Sequence, residues 1–212
     1  MASIILVFGD SITWGAWDPA MGGWANRLRS FLESNDYDAE LYNLGVSGDT
    51  TADLLERFEF ETKQRLKECN KEDKIIIIFS IGANDSDFMK DKKSFEVPVK
   101  QYEQNLEKLI VLARKFSPNI VFAGLTPVDE SKTNPLPWNQ NAFCKNENIQ
   151  SYDALLKSVC KKNKILFVET LDKLIKEDYK ALLYDDGLHP NAKGHQRIFL
   201  EVKDFLIKNK II

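Results

Sequence analysis

At 212 residues, 43% hydrophobic and 29% charged, the chain can bury a full core, and its ten Gly and seven Pro are too few for a disordered or collagen-like polymer. The 29 Lys and Arg against 32 Asp and Glu leave a net charge of −3, without the concentrated basic footprint of a nucleic-acid binder. Three widely spaced cysteines (Cys69, Cys144, Cys160) argue against a disulfide framework or a CxxC zinc site, and no apolar run approaches the ~20 residues of a membrane span. Met1-Ala2-Ser3 lacks the basic n-region of a secretion signal. The expectation is one cytoplasmic domain over residues 1–212, with no nucleic-acid partner and no stable membrane insertion.

The first predicted element is a strand, Ile4-Ile5-Leu6-Val7-Phe8, which runs into Gly9-Asp10-Ser11. Trp24, Leu28, Phe31 and Leu32 then keep a helical spacing. Glu40–Leu44 is a weaker strand leading into Gly45 and Gly48, and Leu54, Leu55 and Phe58 mark a second helix. Ile75-Ile76-Ile77-Ile78-Phe79 repeats the first pattern and ends at Gly82. Tyr102, Leu106, Leu109, Ile110 and Ala113 form the longest helical stretch, closed by Pro118. Ile120–Ala123 and Ile165–Val168 are further strands, with a helix through Tyr152, Leu155, Leu156 and Val159 between them and a last one through Ile198, Val202, Phe205 and Leu206. Residues 126–146, with three prolines, Trp138 and several Asn, fit neither period and read as a long irregular loop, more often functional than accidental.

Runs that are apolar throughout, instead of alternating, are what a parallel sheet covered on both faces requires. The alternation of strands and helices therefore predicts a three-layer α/β/α sandwich around a five-stranded parallel sheet. Ligands of such open sheets bind beyond the carboxyl ends of the strands. That rule collects residues 9–13, 45–50, 82–85 and 126–127 at one edge, where small and polar residues interrupt the apolar pattern.

Ser11, Gly48 and Asn84 at that edge, with Asp186 and His189 at the entrance to the last helix, can carry chemistry. Ser11, at a strand-to-helix turn, has an exposed hydroxyl near a helix N-terminus, or is simply a turn or N-cap serine. His189 follows Asp186 by three residues, so one tight turn at Gly187 can bring the carboxylate to the imidazole; a capping histidine is the other reading. Asp185 is the rival carboxylate, better read as a solvated neighbour. Asn84 can donate to an oxyanion or close an Asx-turn, and Gly48 is a plain turn glycine or a point of close backbone approach to a ligand. His195 falls inside the last helical pattern and reads as partly exposed. Asn84-Asp85-Ser86-Asp87 lacks the Gly and Glu of a calcium loop, and no P-loop, HExxH or GxGxxG is present.

Taken together, Gly9-Asp10-Ser11-Ile12-Thr13, Asn43-Leu44-Gly45-Val46-Ser47-Gly48-Asp49-Thr50, Gly82-Ala83-Asn84-Asp85 and Asp186-Gly187-Leu188-His189-Pro190 resemble the motifs of the SGNH hydrolases, the GDSL esterase/lipase family. The resemblance spans Ile4 to about Ile198; Ile12 in place of the Leu of the family's name is a common variant. It implies a flavodoxin-like fold with strand order 2-1-3-4-5. It also implies Ser11 as nucleophile, His189 and Asp186 as the rest of a triad, and an oxyanion hole from the N–H of Ser11, the N–H of Gly48 and the Asn84 side chain. The implied activity is hydrolysis of short acyl esters or thioesters, of lysophospholipase or thioesterase type, with no metal or organic cofactor. A carbohydrate O-acetylesterase is the alternative within the family. Outside it stand a flavin- or phosphate-binding flavodoxin-like module and a catalytically silent binding protein. Trp14, Trp17, Met21, Trp138 and Phe143 are the candidate pocket residues.

Overall fold

In chain order the computed structural model, which describes residues 2–35 and 37–212, runs β1 (Ser3–Gly9), α1 (Ser11–Trp14), α2 (Gly23–Ser34), β2 (Ala39–Gly45), α3 (Thr51–Arg65) and β3 (Lys74–Ser80). It continues through α4 (Val99–Ala113), β4 (Asn119–Ala123), α5 (Asn146–Asn163), β5 (Leu166–Val168) and α6 (Ala192–Lys208), with shorter elements between. The five strands form one parallel sheet in the order β2-β1-β3-β4-β5. This is the predicted three-layer α/β/α fold with the expected order.

Alternation along β1 explains its unbroken apolar run. Ile5 and Val7 join Ile76, Ile78 and Val121 in a core with Trp24 and Leu28 of α2 and Ile198 and Val202 of α6. Ile4, Leu6 and Phe8 turn to the other face and pack with Ile77, Phe79 and Phe122 against Phe58 of α3, Tyr102 of α4 and Tyr152 of α5. Successive side chains point to opposite faces of a strand, so a sheet with helices on both faces needs apolar residues at every position.

Three strands end level: Gly9 pairs with both Gly45 and Ser80. A Cβ on Gly9 would lie 2.1 Å from Thr13 Oγ1 and 2.3 Å from Ser80 O, so α1 can fold back over the sheet edge only because nothing projects there. The next turns all open from this edge. α3 starts with a capping box in which Asp53 Oδ2 accepts from Thr50 N at 2.9 Å. Asn191 caps α6 by accepting from the N–H groups of Lys193 and Gly194.

Residues 126–146 differ from the expected irregular loop. They contain a helical turn, Glu130–Thr133, and a short strand, Ala142–Phe143, which pairs antiparallel with Phe88–Met89; that strand in turn pairs with Ser94–Phe95. Internal bonds from Leu136 N to Ala142 O (2.8 Å) and from Cys144 N to Thr133 O (3.0 Å) lock the segment into a small flap. Strands of two residues have no readable period, so only tertiary pairing creates them.

Candidate active site

Ser11 opens α1, whose N-cap Asp10 accepts from the Ile12 N–H at 2.9 Å; Gly15, at φ +103°, ends the single turn. The Ser11 side chain is thereby aimed off the sheet edge, with Oγ 2.9 Å from His189 Nε2. On the far side of the ring, His189 Nδ1 lies 2.8 Å from Asp186 Oδ2. The carboxylate can only accept, so Nδ1 carries the ring proton and Nε2 is left to accept from Ser11. Asp186 Oδ1 accepts from the backbone N–H groups of Leu188 (2.9 Å) and His189 (3.0 Å). Burial pushes the Asp186 carboxyl up, but the bonds from the His189 ring and these N–H groups outweigh it, and the group stays below its ordinary range. The turn between them needs Gly187 at φ +76°, where any Cβ would also press on Lys132. Asp186, not Asp185, is the carboxylate brought to the ring.

The turn after β2 places Gly48 at φ +86°, beside the same cleft. Among the described residues, no protein acceptor faces the N–H of Gly48 or that of Ser11. Asn84, on the 3₁₀ turn that follows β3, gives one Nδ2 proton to Asp49 O at 2.8 Å, which fixes the amide orientation and leaves its second proton free. Asp49 is itself held by Arg57 at 2.7 Å. The three donors that the resemblance implies therefore line one cleft with Ser11 and His189.

Beneath this edge lie buried acids. Asp85, fully buried, accepts from the Thr51 N–H and hydroxyl, while Asn105 Nδ2 donates to Thr51 Oγ1 at 3.0 Å. This ties the start of α3 to the Asn84 turn. Burial raises the Asp85 carboxyl to about 7 and that of Asp10 to about 6. A raised folded-state value means that the native protein keeps protons which the unfolded chain releases above its own value near 4. Stability therefore falls as pH rises from about 4 to about 7, by at most about 1.4 kcal/mol per pH unit for each group, and is flat beyond. Urea denaturation at pH 5 and pH 8 should show this loss for the parent protein and a smaller one for Asp85→Asn. An equal loss in both would mean that Asp85 is not among its sources.

The cleft encloses about 410 Å³, within the range of small-molecule sites. Trp14, Trp17 and Trp138 line it and are more than half exposed; the Trp138 ring lies 5.8 Å from that of His189. Phe143 does not line it. Ala142 faces the cleft, so its neighbour on the strand must point the other way, and Phe143 lines a separate groove with Phe88 and Asn134. Met21 is exposed on a turn and is not part of the wall.

His195 is also corrected: it is fully buried. Its Nδ1 accepts from Trp24 N at 3.3 Å and its Nε2 donates to Ala16 O at 2.9 Å, an arrangement that takes a neutral ring. Burial holds its value below the ordinary one. Its place three residues before Ile198 and seven before Val202 puts it on the apolar stripe of α6, and that spacing was the available signal. Asp53, Asp87 and Glu96 also line the cleft, and among the described residues no Lys or Arg does. Asp53 and Asp87 lie three residues after Thr50 and Asn84 of the motifs at this edge, whereas nothing in the local sequence of Glu96 points to the site.

The geometry agrees with comparisons to known proteins. The GDSL-like lipase/acylhydrolase family matches residues 7–197. An arylesterase of Vibrio mimicus is 26% identical over 205 residues, covering 97% of this chain and 88% of its own. An isoamyl acetate-hydrolyzing esterase 1 homolog of Mus musculus is 25% identical, covering 96% and 81%. Among solved structures, Axe2, an acetylxylan esterase from Geobacillus stearothermophilus, superposes with a TM-score of 0.71 at 23% identity over 96% of this chain and 93% of its own, a likeness of fold. The chain belongs to the GDSL-like lipase/acylhydrolase family and is a carboxylic ester hydrolase.

Proposed function

We propose that the enzyme cleaves short-chain acyl esters through an acyl-enzyme on Ser11. The observation that carries this reading is the unbroken line from Ser11 Oγ through the His189 ring to Asp186. His189 Nε2 takes the hydroxyl proton as Oγ attacks the acyl carbonyl. The developing oxyanion draws on the N–H groups of Ser11 and Gly48 and on Asn84 Nδ2. His189 returns the proton to the leaving alcohol, and water activated by the same ring then frees the acid. Asp186 stays ionised and steadies the imidazolium. None of these steps calls on a metal or cofactor.

The acidic lining favours neutral esters. Asp53, Asp87 and Glu96 without a balancing Lys or Arg repel phosphate, which counts against phosphate-bearing thioesters, lysophospholipid headgroups and a flavin-binding role. Acetyl esters of carbohydrates are the second reading: three exposed tryptophans offer flat apolar faces to a sugar ring, and the Geobacillus neighbour is an acetylxylan esterase. Cys69, Cys144 and Cys160 of this chain are unpaired, which suits a reducing cytoplasm; no helix of the described residues is long and apolar enough to cross a membrane.

The test is a hydrolysis panel of p-nitrophenyl acetate, butyrate and octanoate, acetyl-CoA and acetylated xylosides, with fluorophosphonate labelling mapped by peptide mass. Label at Ser11 with turnover of the acetyl esters is expected; label elsewhere would overturn the acyl-enzyme assignment. The flap gives a further expectation. Trp138→Ala should change the ratio of kcat/KM between octanoate and acetate by about 5- to 160-fold, the span of 1–3 kcal/mol for a lost apolar contact. Phe143→Ala, in the other groove, should leave that ratio alone. Changes independent of acyl length in both variants would show the flap to be a cover with no part in selection.

A further inference from the structure

Trp17 occupies an unusual position. Its φ is +63°, in the left-handed region that residues with a large side chain rarely adopt, and half of its surface is exposed. Such a conformation persists only where the surroundings fix it. Here two contacts do so. The indole stacks on Tyr184, with centroids 4.8 Å apart and planes 15° from parallel, and its Nε1–H donates to Asp186 Oδ2 at 2.8 Å. That oxygen is the one that also accepts from His189 Nδ1. The Asp186 carboxylate thus receives four donors: two backbone N–H groups at Oδ1, and the imidazole and indole at Oδ2. The indole comes from the other end of the chain, 169 residues away, and stands edge-on to the imidazole at 6.4 Å.

We infer that Trp17 is a positioning residue: its indole N–H fixes the Asp186 carboxylate and sets how strongly that carboxylate pulls on the His189 ring. The role in turnover rests on the serine-hydrolase reading above; the electrostatic role does not. An oxygen that already accepts one N–H shares less charge with a second, so the indole tempers the stabilisation of imidazolium by Asp186. It also holds the Oδ2 end of the carboxylate from a second side. Other charged and titratable groups around the pair are Asp10 at the end of β1, His195 on α6, Lys132 behind Gly187, and Asp185 and Tyr184 on the same turn. None of them is removed by changing Trp17.

The chain has only two histidines, which makes a direct readout possible. Trp17→Phe keeps an aromatic ring over Tyr184 and deletes the donor; Trp17→Gly deletes both and accepts φ +63° without strain. Proton NMR of the imidazole Cε1–H resonances should show the titration midpoint of His189 rising by about 0.5 pH unit in both variants. On p-nitrophenyl acetate, kcat should fall about tenfold, the scale of one hydrogen bond to a charged group, with KM within twofold. An unmoved His189 midpoint in both variants overturns the inference even if activity falls, because lost packing would explain that fall. A shifted midpoint with full activity overturns the positioning role. Since the titration needs no turnover, an inactive parent protein would sink the hydrolase reading while the midpoint still decides this one.

Discussion

Ser11→Ala and His189→Ala should each lower kcat for p-nitrophenyl acetate by roughly 10⁴–10⁶-fold, and the double variant should be no worse than either alone. Non-additivity is the sharper part of the expectation. Ser11 Oγ and His189 Nε2 are 2.9 Å apart and, in the proposed mechanism, exchange one proton, so removing either partner leaves the other without a task. Both variants should keep the parent's urea midpoint to within a small shift, because neither side chain belongs to the two sheet-face cores. His195 supplies the contrast. Its ring is buried between Trp24 N and Ala16 O, so His195→Ala should cost stability by leaving those groups unpaired while the folded fraction still turns over. Independent, multiplying losses for Ser11 and His189 would dissolve the unit.

Asn84→Ala should reduce kcat by about 10²–10³-fold, equivalent to roughly 3–4 kcal/mol, with KM little changed. In the proposed mechanism the donor acts on charge that develops only as the carbonyl becomes tetrahedral, so ground-state binding is not where its loss appears. Its orientation is set by the bond to Asp49 O, and the turn beneath it is anchored through Asp85 and Thr51. Asn84→Asp gives a matched test, since it keeps the shape and places negative charge against the oxyanion. It should be at least as damaging as the alanine variant. A loss confined to KM would make Asn84 a ground-state substrate contact instead.

Much of this was legible in the sequence wherever local pattern and tertiary environment coincide. Ile75–Phe79 is apolar at every position because both faces of β3 are covered, and that requirement can be read without coordinates. Asp186 and His189 meet across one turn opened by Gly187, so their pairing is encoded within four residues. What was not legible depends on distant partners. Trp17 reaches Asp186 across 169 residues, and the small sheet exists only because Phe88–Met89 lies between Ser94–Phe95 and Ala142–Phe143. Phe143 was misassigned because its facing depends on a strand too short to show alternation. His195 was misread because a polar residue on an apolar stripe looks exposed until its two backbone partners are known.

The central place of β1 in the sheet bears on how the chain is made. Ser3 pairs with Ala39 on one edge and with Lys74 on the other, so the second edge of β1 stays open until some seventy further residues have been added. At 5–20 residues per second that is roughly 4–14 s of synthesis, during which a strand with a five-residue run of Ile, Leu, Val and Phe has one backbone edge without its partner. Pairings this distant also close large loops before any contact compensates, which slows folding relative to a chain of local contacts. The segment that later carries Ser11 at its tip is therefore, on the nascent chain, the one most in need of shielding from other copies.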